Sequence, residues 1–168
     1  MRAIYTVGYE GSTIEDFIET LRLAGIELVV DVRDLPLSRK RGFSKRALGE
    51  HLVEAGLQYL HVKALGDPKP GREAAKQGDL VLFRRIFGKH MKSELAQAAI
   101  SDIAELARTK TICLLCFERS FSCCHRSIVA DALSKDFGAK IRHIGVRSGL
   151  ATSEGIRDAV AVRALAIG

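Results

Sequence analysis

Three consecutive residues, Cys124-His125-Arg126, carry the densest chemistry in the chain. They follow a short loop and open a stretch with Ile128, Val129 and Leu133 at helical spacing, the pattern of a helix running from Cys124 to Phe137 and stopped by Gly138. Unpaired N–H groups and the helix dipole make such an end locally positive, and His125 and Arg126 add to that field. The position therefore suits a thiolate nucleophile at Cys124 or a bound phosphate. A thiol held there is expected to have a pKa below the ordinary value of about 8.5 and to react before Cys116, with Cys113 last. The plainer alternative is that Cys124 packs under the turn while Arg126 is a solvated charge.

Two further segments bear charged or reactive groups. The apolar run from Thr111 to Phe117 reads as a strand, and alternation puts Cys116 and Glu118 on one side of it with Cys113 on the other, where a small apolar core residue is expected. Cys113 and Arg119 have the spacing of a cysteine-phosphatase loop, but the residues between them are strand-like and lack glycine, so that chemistry is set aside. The segment Asp31 to Arg46 carries six Lys or Arg residues after a strand at 27–32. Arginine forks match phosphate oxygens, so Arg33, Arg39 and Arg41 can clamp a phosphorylated ligand or a nucleic-acid backbone; a solvated basic loop, with Arg33 paired to Asp31 or Glu118, is the alternative. Cys116, Cys123, Cys124 and His125 are four potential zinc ligands. Adjacent residues point apart, however, and no pair of Cys-x2-Cys knuckles is present, so neither a metal nor a cofactor enters this reading.

The elements that must position these groups alternate along the chain in the manner of an α/β domain with a mainly parallel sheet. The run from Ala3 to Val7 stops at Gly8. Ser12-Thr13-Ile14-Glu15 resembles a capping box before a helix with Ile14, Phe17, Ile18 and Leu21 inward. A helix begins near Ser44, a third strand spans 57–62, and the Pro- and Gly-rich stretch from Leu65 to Gly71 is expected to be a loop forming a lid or rim. Helical spacing then runs from Asp79 to about Arg108, broken near Gly88 or recapped at Ser93, and the last strand covers 140–144. Residues 1–148 are expected to form a single α/β domain and residues 149–168 a C-terminal helical extension.

A chain of 168 residues with 47% hydrophobic residues can bury a core without staples. No long apolar run or secretory leader is read, and all four cysteines fall between Cys113 and Cys124, so a cytoplasmic protein with reduced thiols and no membrane partner is expected. The net charge of +6 favours anionic partners.

Thr6-Val7-Gly8-Tyr9-Glu10-Gly11, Val30-Asp31-Val32-Arg33 with Pro36 and Ser38-Arg39, Leu65-Gly66-Asp67-Pro68-Lys69, Leu114-Leu115-Cys116-Phe117-Glu118 and Cys124-His125-Arg126-Ser127 occur in this order. Together they resemble domain-of-unknown-function family 488 from about residue 2 to 145. The resemblance implies a three-layer α/β/α fold and a site pattern of Tyr9, Asp31, Arg33, Ser38, Arg39, Cys116, Glu118, Cys124, His125 and Arg126. The chain departs from that pattern at Cys123, where a polar residue is usual.

The resulting candidates are Cys124, His125, Glu118, Cys116 and Asp31 for catalysis, Arg33, Ser38, Arg39, Arg41 and Arg126 for anion binding, and Tyr9 as a pocket residue. Two functions compete. One is an enzyme acting on a phosphorylated or nucleotide-like small molecule, with Cys124 as nucleophile or redox thiol, His125 as acid or base and Glu118 as orienter. The other is a nucleic-acid-binding or regulatory module in which the cysteine is structural. An aromatic content of 6% without Trp points the second reading to backbone contact rather than base stacking. In both, the ends of the first, second and fourth strands share a rim, with Asp31, Arg33, Cys116 and Glu118 facing a common pocket.

Overall fold

The computed structural model describes residues 3–152. Five strands, β1 (Ala3–Gly8), β2 (Leu28–Asp31), β3 (Gln58–His61), β4 (Ile112–Cys116) and β5 (Lys140–Ile144), form one sheet in the order β3-β2-β4-β1-β5. Every pairing is parallel. Six helices connect them: α1 (Ile14–Leu23), α2 (Lys45–Glu54), α3 (Lys69–Lys76), α4 (Leu80–His90), α5 (Glu94–Thr109) and α6 (His125–Phe137).

Strand alternation divides the core in two and makes the fold a three-layer α/β/α sandwich. Val7, Val29, Cys113 and Leu115 face α1 and α2, meeting Phe17, Leu21, Leu48 and Leu52. Ile4, Val30, Ile112 and Leu114 face the opposite way, against Phe87 of α4, Ile100 and Ile103 of α5, and Val129 and Leu133 of α6. The central strands β2 and β4 are buried along their whole length, which is why both read as apolar runs, with Asp31 the one charged residue at the end of β2.

Several local readings shift. Thr13, not Ser12, caps α1, accepting from the Asp16 N–H at 3.2 Å. Gly88 lies inside α4, and the recapping falls at Ser93, whose hydroxyl accepts from the Ala96 N–H. The expected loop over 65–71 is shorter, because α3 starts at Lys69 with Pro70 in its first turn. Proline has no N–H to waste there and its φ is already helical, so it opens the helix instead of excluding it. Of the expected C-terminal extension, only residues 149–152 are described. Gly149 and Ala151 N–H groups donate to Asp16 at 2.8 Å, which holds the Asp16 carboxyl below the usual range. The rest of the expected helix lies outside the described residues. No helix among them is long and apolar enough to cross a membrane.

The strand order fixes where a crevice opens. The chain leaves β2 toward β3, and it leaves β4 in the other direction toward β5. Adjacent strands whose outgoing loops diverge leave a gap beyond their carboxyl ends, and that gap is the usual ligand position in open α/β sheets.

Candidate functional site

At the end of β2 the chain forms a closed brace. Asp31 is fully buried and Arg33 is 5% exposed. The Arg33 guanidinium donates to both Asp31 oxygens, from Nε at 2.8 Å and Nη2 at 2.6 Å, and its Nη1 donates to the Tyr9 hydroxyl at 3.0 Å and the Phe43 carbonyl at 2.8 Å. Asp31 also accepts from the Tyr59 hydroxyl at 2.7 Å and from the Arg33 N–H. Tyr9 stacks on Phe43 with ring centroids 4.3 Å apart, so the end of the basic loop, just before α2, is fastened to the ends of β1 and β2 together. Every polar group of this pair is engaged within the protein.

A second brace holds the exit of β4. Arg126, 1% exposed, donates to the Glu118 carbonyl and, at 3.1 Å, to the Arg119 carbonyl, with Nε reaching Thr6 Oγ1 at 3.4 Å. The same loop lies so close to β1 that a Cβ on Gly8 would stand 1.8 Å from the Glu118 carbonyl oxygen, and only glycine allows the approach. Arg33 and Arg126, expected as anion clamps, therefore spend their donors on a carboxylate, a phenol, a hydroxyl and backbone carbonyls.

Between the braces lies the reactive cluster. Cys116 ends β4, Cys124 is the extended N-cap residue of α6, and His125 is the first residue of that helix. The change of backbone direction at the cap turns the side chains of Cys124 and His125 together, so the expectation that neighbours must point apart fails here. His125 Nε2 lies 2.7 Å from the Val32 carbonyl, an acceptor only, so Nε2 carries the proton. Nδ1 then faces Cys116 Sγ at 3.7 Å and Cys124 Sγ at 4.0 Å. Cys116 also donates to Glu118 Oε2 at 3.0 Å.

The expected low pKa at Cys124 is not found. Burial pushes this thiol well up, the neighbouring Cys116 adds to the shift, and the opposing pull of His125 does not compensate. A hydrogen bond with Cys124 pulls the Cys116 thiol down, but burial and the Glu118 carboxylate outweigh it. Glu118 is opposed by burial yet held below its ordinary value by the two thiols that bond to it. Cys113 is buried on the other face, and burial drives its thiol upward as well. Cys123 is the exposed cysteine and Cys124 is 2% exposed, so the access needed for Cys124 to react first is missing.

The diverging loops enclose a cavity of about 730 Å³. Arg33, Cys116, Glu118 and His125 line it together with Tyr9, while Asp31 sits behind Arg33 and does not reach it. Ser38, Arg39 and Lys40 of the basic loop and Lys76 of α3 border it, whereas Arg41 does not. Phe83 and Phe117 supply apolar wall.

Sequence reasoning left Asp67 out of the site. Its side chain lines the cavity at 4% exposure, and Oδ1 is buried with no hydrogen-bond partner. Burial raises its pKa to about 6, against the opposing pull of His125 and Arg72. The Gly66-Asp67-Pro68 stretch marks a turn into a helix, where aspartate is common for local reasons, so no signal in the sequence sets Asp67 apart. Arg72, also unassigned, is tied to Asp34 and to the Asp67 carbonyl, and thereby anchors α3 over the cavity.

A family model described as "Domain of unknown function DUF488" matches residues 13–133. No curated protein matches the chain, and neither does any solved structure.

Proposed function

The chain belongs to the DUF488 family of unknown function, and from that premise together with the cavity we propose that it is an enzyme acting on a phosphate-bearing, nucleotide-sized small molecule. The observation that carries this reading is the cavity with a cationic border, in whose wall Asp67 keeps one carboxylate oxygen, packed over Gly71, without a partner. An unpaired buried acceptor costs free energy that folding does not recover, and a ligand hydroxyl or amine would satisfy it. The volume of about 730 Å³ suits a small molecule better than a duplex backbone.

In this reading Arg39, Lys40 and Lys76 receive the phosphate, because every guanidinium nitrogen of Arg33 and Arg126 already holds a partner within the protein. Asp67, with a pKa of about 6, exchanges a proton with the substrate near neutral pH. The Cys116–Glu118–Cys124–His125 cluster stands at the reacting end, with Tyr9, Phe83 and Phe117 against the apolar part of the ligand.

Thermal unfolding of the full chain against nucleoside phosphates, sugar phosphates and their dephosphorylated counterparts tests the proposal. A saturable rise in Tm is expected with a phosphorylated compound only, and Arg39→Ala with Lys76→Ala should weaken that binding about 10-fold or more while leaving the unliganded Tm nearly unchanged. If an oligonucleotide stabilises the protein instead, with affinity falling steeply with salt, the nucleic-acid-binding module replaces the enzyme.

A further inference from the structure

We propose that Cys116, Cys124 and His125 form a site for one thiophilic divalent metal ion, zinc being the best match, with a coordination position left toward the cavity. This goes beyond the functional reading above and stands without it.

The three ligand atoms lie within 4.8 Å of one another. Zinc at about 2.3 Å from sulfur and 2.0–2.1 Å from nitrogen, in tetrahedral geometry, sets S···N near 3.6 Å and S···S near 3.8 Å. The observed S···N separations are 3.7 and 4.0 Å, so a metal ion fits after small movements. Val32 accepts from Nε2, so Nδ1 is the nitrogen on the thiol side, and the metal ion would take the place of the proton that Nδ1 otherwise carries. Such a second partner on a ligating histidine is what fixes ring orientation in metal sites.

The surroundings favour the same conclusion. All three ligands are buried and are held by regular elements, the end of β4 and the first turn of α6. Arg126, the next residue, pins the intervening loop through the Glu118 and Arg119 carbonyls. Two thiolates neutralise a divalent cation, so the filled site carries no net charge out of water, with both thiol protons released to solvent. A pair of sulfurs with one imidazole selects zinc-like ions over magnesium or calcium. Cys116 and His125 line the cavity and Cys124 does not, which directs the remaining position to the ligand side, beside Glu118. With the ion in place, Cys116 and Cys124 are ligands rather than nucleophiles, and proton transfer falls to Asp67 and Glu118.

Titration of the reduced full chain with cobalt(II) reads the site directly. The expected result is thiolate-to-cobalt charge-transfer absorption that saturates at one equivalent, has the intensity of two thiolates and is displaced by zinc. Cys116→Ser, Cys124→Ser and His125→Gln should each weaken binding about 100-fold or more, whereas Cys113→Ala and Cys123→Ser should not. Circular dichroism before metal addition shows which variants fold, and if none does, the thiolate count in the unsubstituted chain still decides. Absence of a saturable band, one-thiolate intensity, or loss of the band in Cys123→Ser with retention in Cys124→Ser would overturn the proposal. Failure to find a phosphorylated ligand would leave this result unaffected.

Discussion

The ends of β2 and β4 lie side by side at the same crevice, and both present residues of catalytic type, yet they are built in opposite ways. At β2, the buried Asp31 and Arg33 satisfy each other, and Tyr9, Tyr59 and Phe43 complete the network. At β4, two thiols and an imidazole converge at separations of 3.7 and 4.0 Å, and the facing Asp67 keeps an oxygen without a partner. The difference teaches that residue type nominates a site and hydrogen-bond satisfaction divides it. Groups whose capacity is used inside the protein hold the frame; groups with capacity left over await a ligand.

The contrast predicts that the two ends respond differently to substitution. The largest effect is expected at the brace, where Arg33→Met leaves the Asp31 carboxylate buried and uncompensated and should cost about 3–5 kcal/mol in urea unfolding. A loss under about 1 kcal/mol there would make the brace a dispensable pair and remove the contrast.

An intermediate, pH-dependent effect is expected at Asp67. Its pKa is raised from 3.8 in the unfolded chain to about 6 in the folded one, chiefly by burial, so the folded state holds this proton more tightly. The resulting stabilisation is complete below the unfolded value and is lost as pH rises through about 6. Asp67→Asn should remove this dependence and make the protein more stable above that pH by something on the order of 2 kcal/mol, with solvent screening at the cavity allowed for. Unfolding curves of the two proteins at several pH values should therefore diverge on the alkaline side; parallel curves would mean the orphaned oxygen is satisfied in solution.

The smallest stability effect is expected at the cluster. Cys116→Ser conserves shape and can still donate to Glu118, so it should change stability by about 1 kcal/mol or less while abolishing whatever reaction the cavity supports. A cost as large as that of Arg33→Met would place Cys116 in the frame rather than the site.

The sequence carried the layers and the location of the crevice, because buried parallel strands write themselves as apolar runs such as Leu28 to Val30 and Ile112 to Cys116, and a glycine or charged residue marks where each ends. The same alternation placed Cys113 and Cys116 on opposite faces. What sequence could not supply was the fate of each polar group. Arg33, Arg39, Arg41 and Arg126 are alike as letters, but Arg33 and Arg126 are buried struts, Arg39 borders the cavity and Arg41 lies outside it. That distinction depends on partners brought from elsewhere, as Thr6 is to Arg126 across 120 positions. The Cys124 thiol was misjudged for a related reason. A helix terminus is visible in sequence, whereas burial under neighbouring elements is not, and burial dominates the thiol's pKa. Asp67 stands in a turn that the sequence makes plain, while its missing partner is a property of the packed structure alone.

The claim that the β4 end, not the β2 brace, receives the ligand is tested most directly by amide-resolved NMR of the full chain during titration with nucleoside and sugar phosphates. The account predicts saturable shifts concentrated at Arg39, Lys40, Asp67, Lys76, Phe117 and Glu118, with the amides of α2 and β3 unmoved. Shifts scattered over other basic surface, or none with any phosphorylated compound, would contradict it.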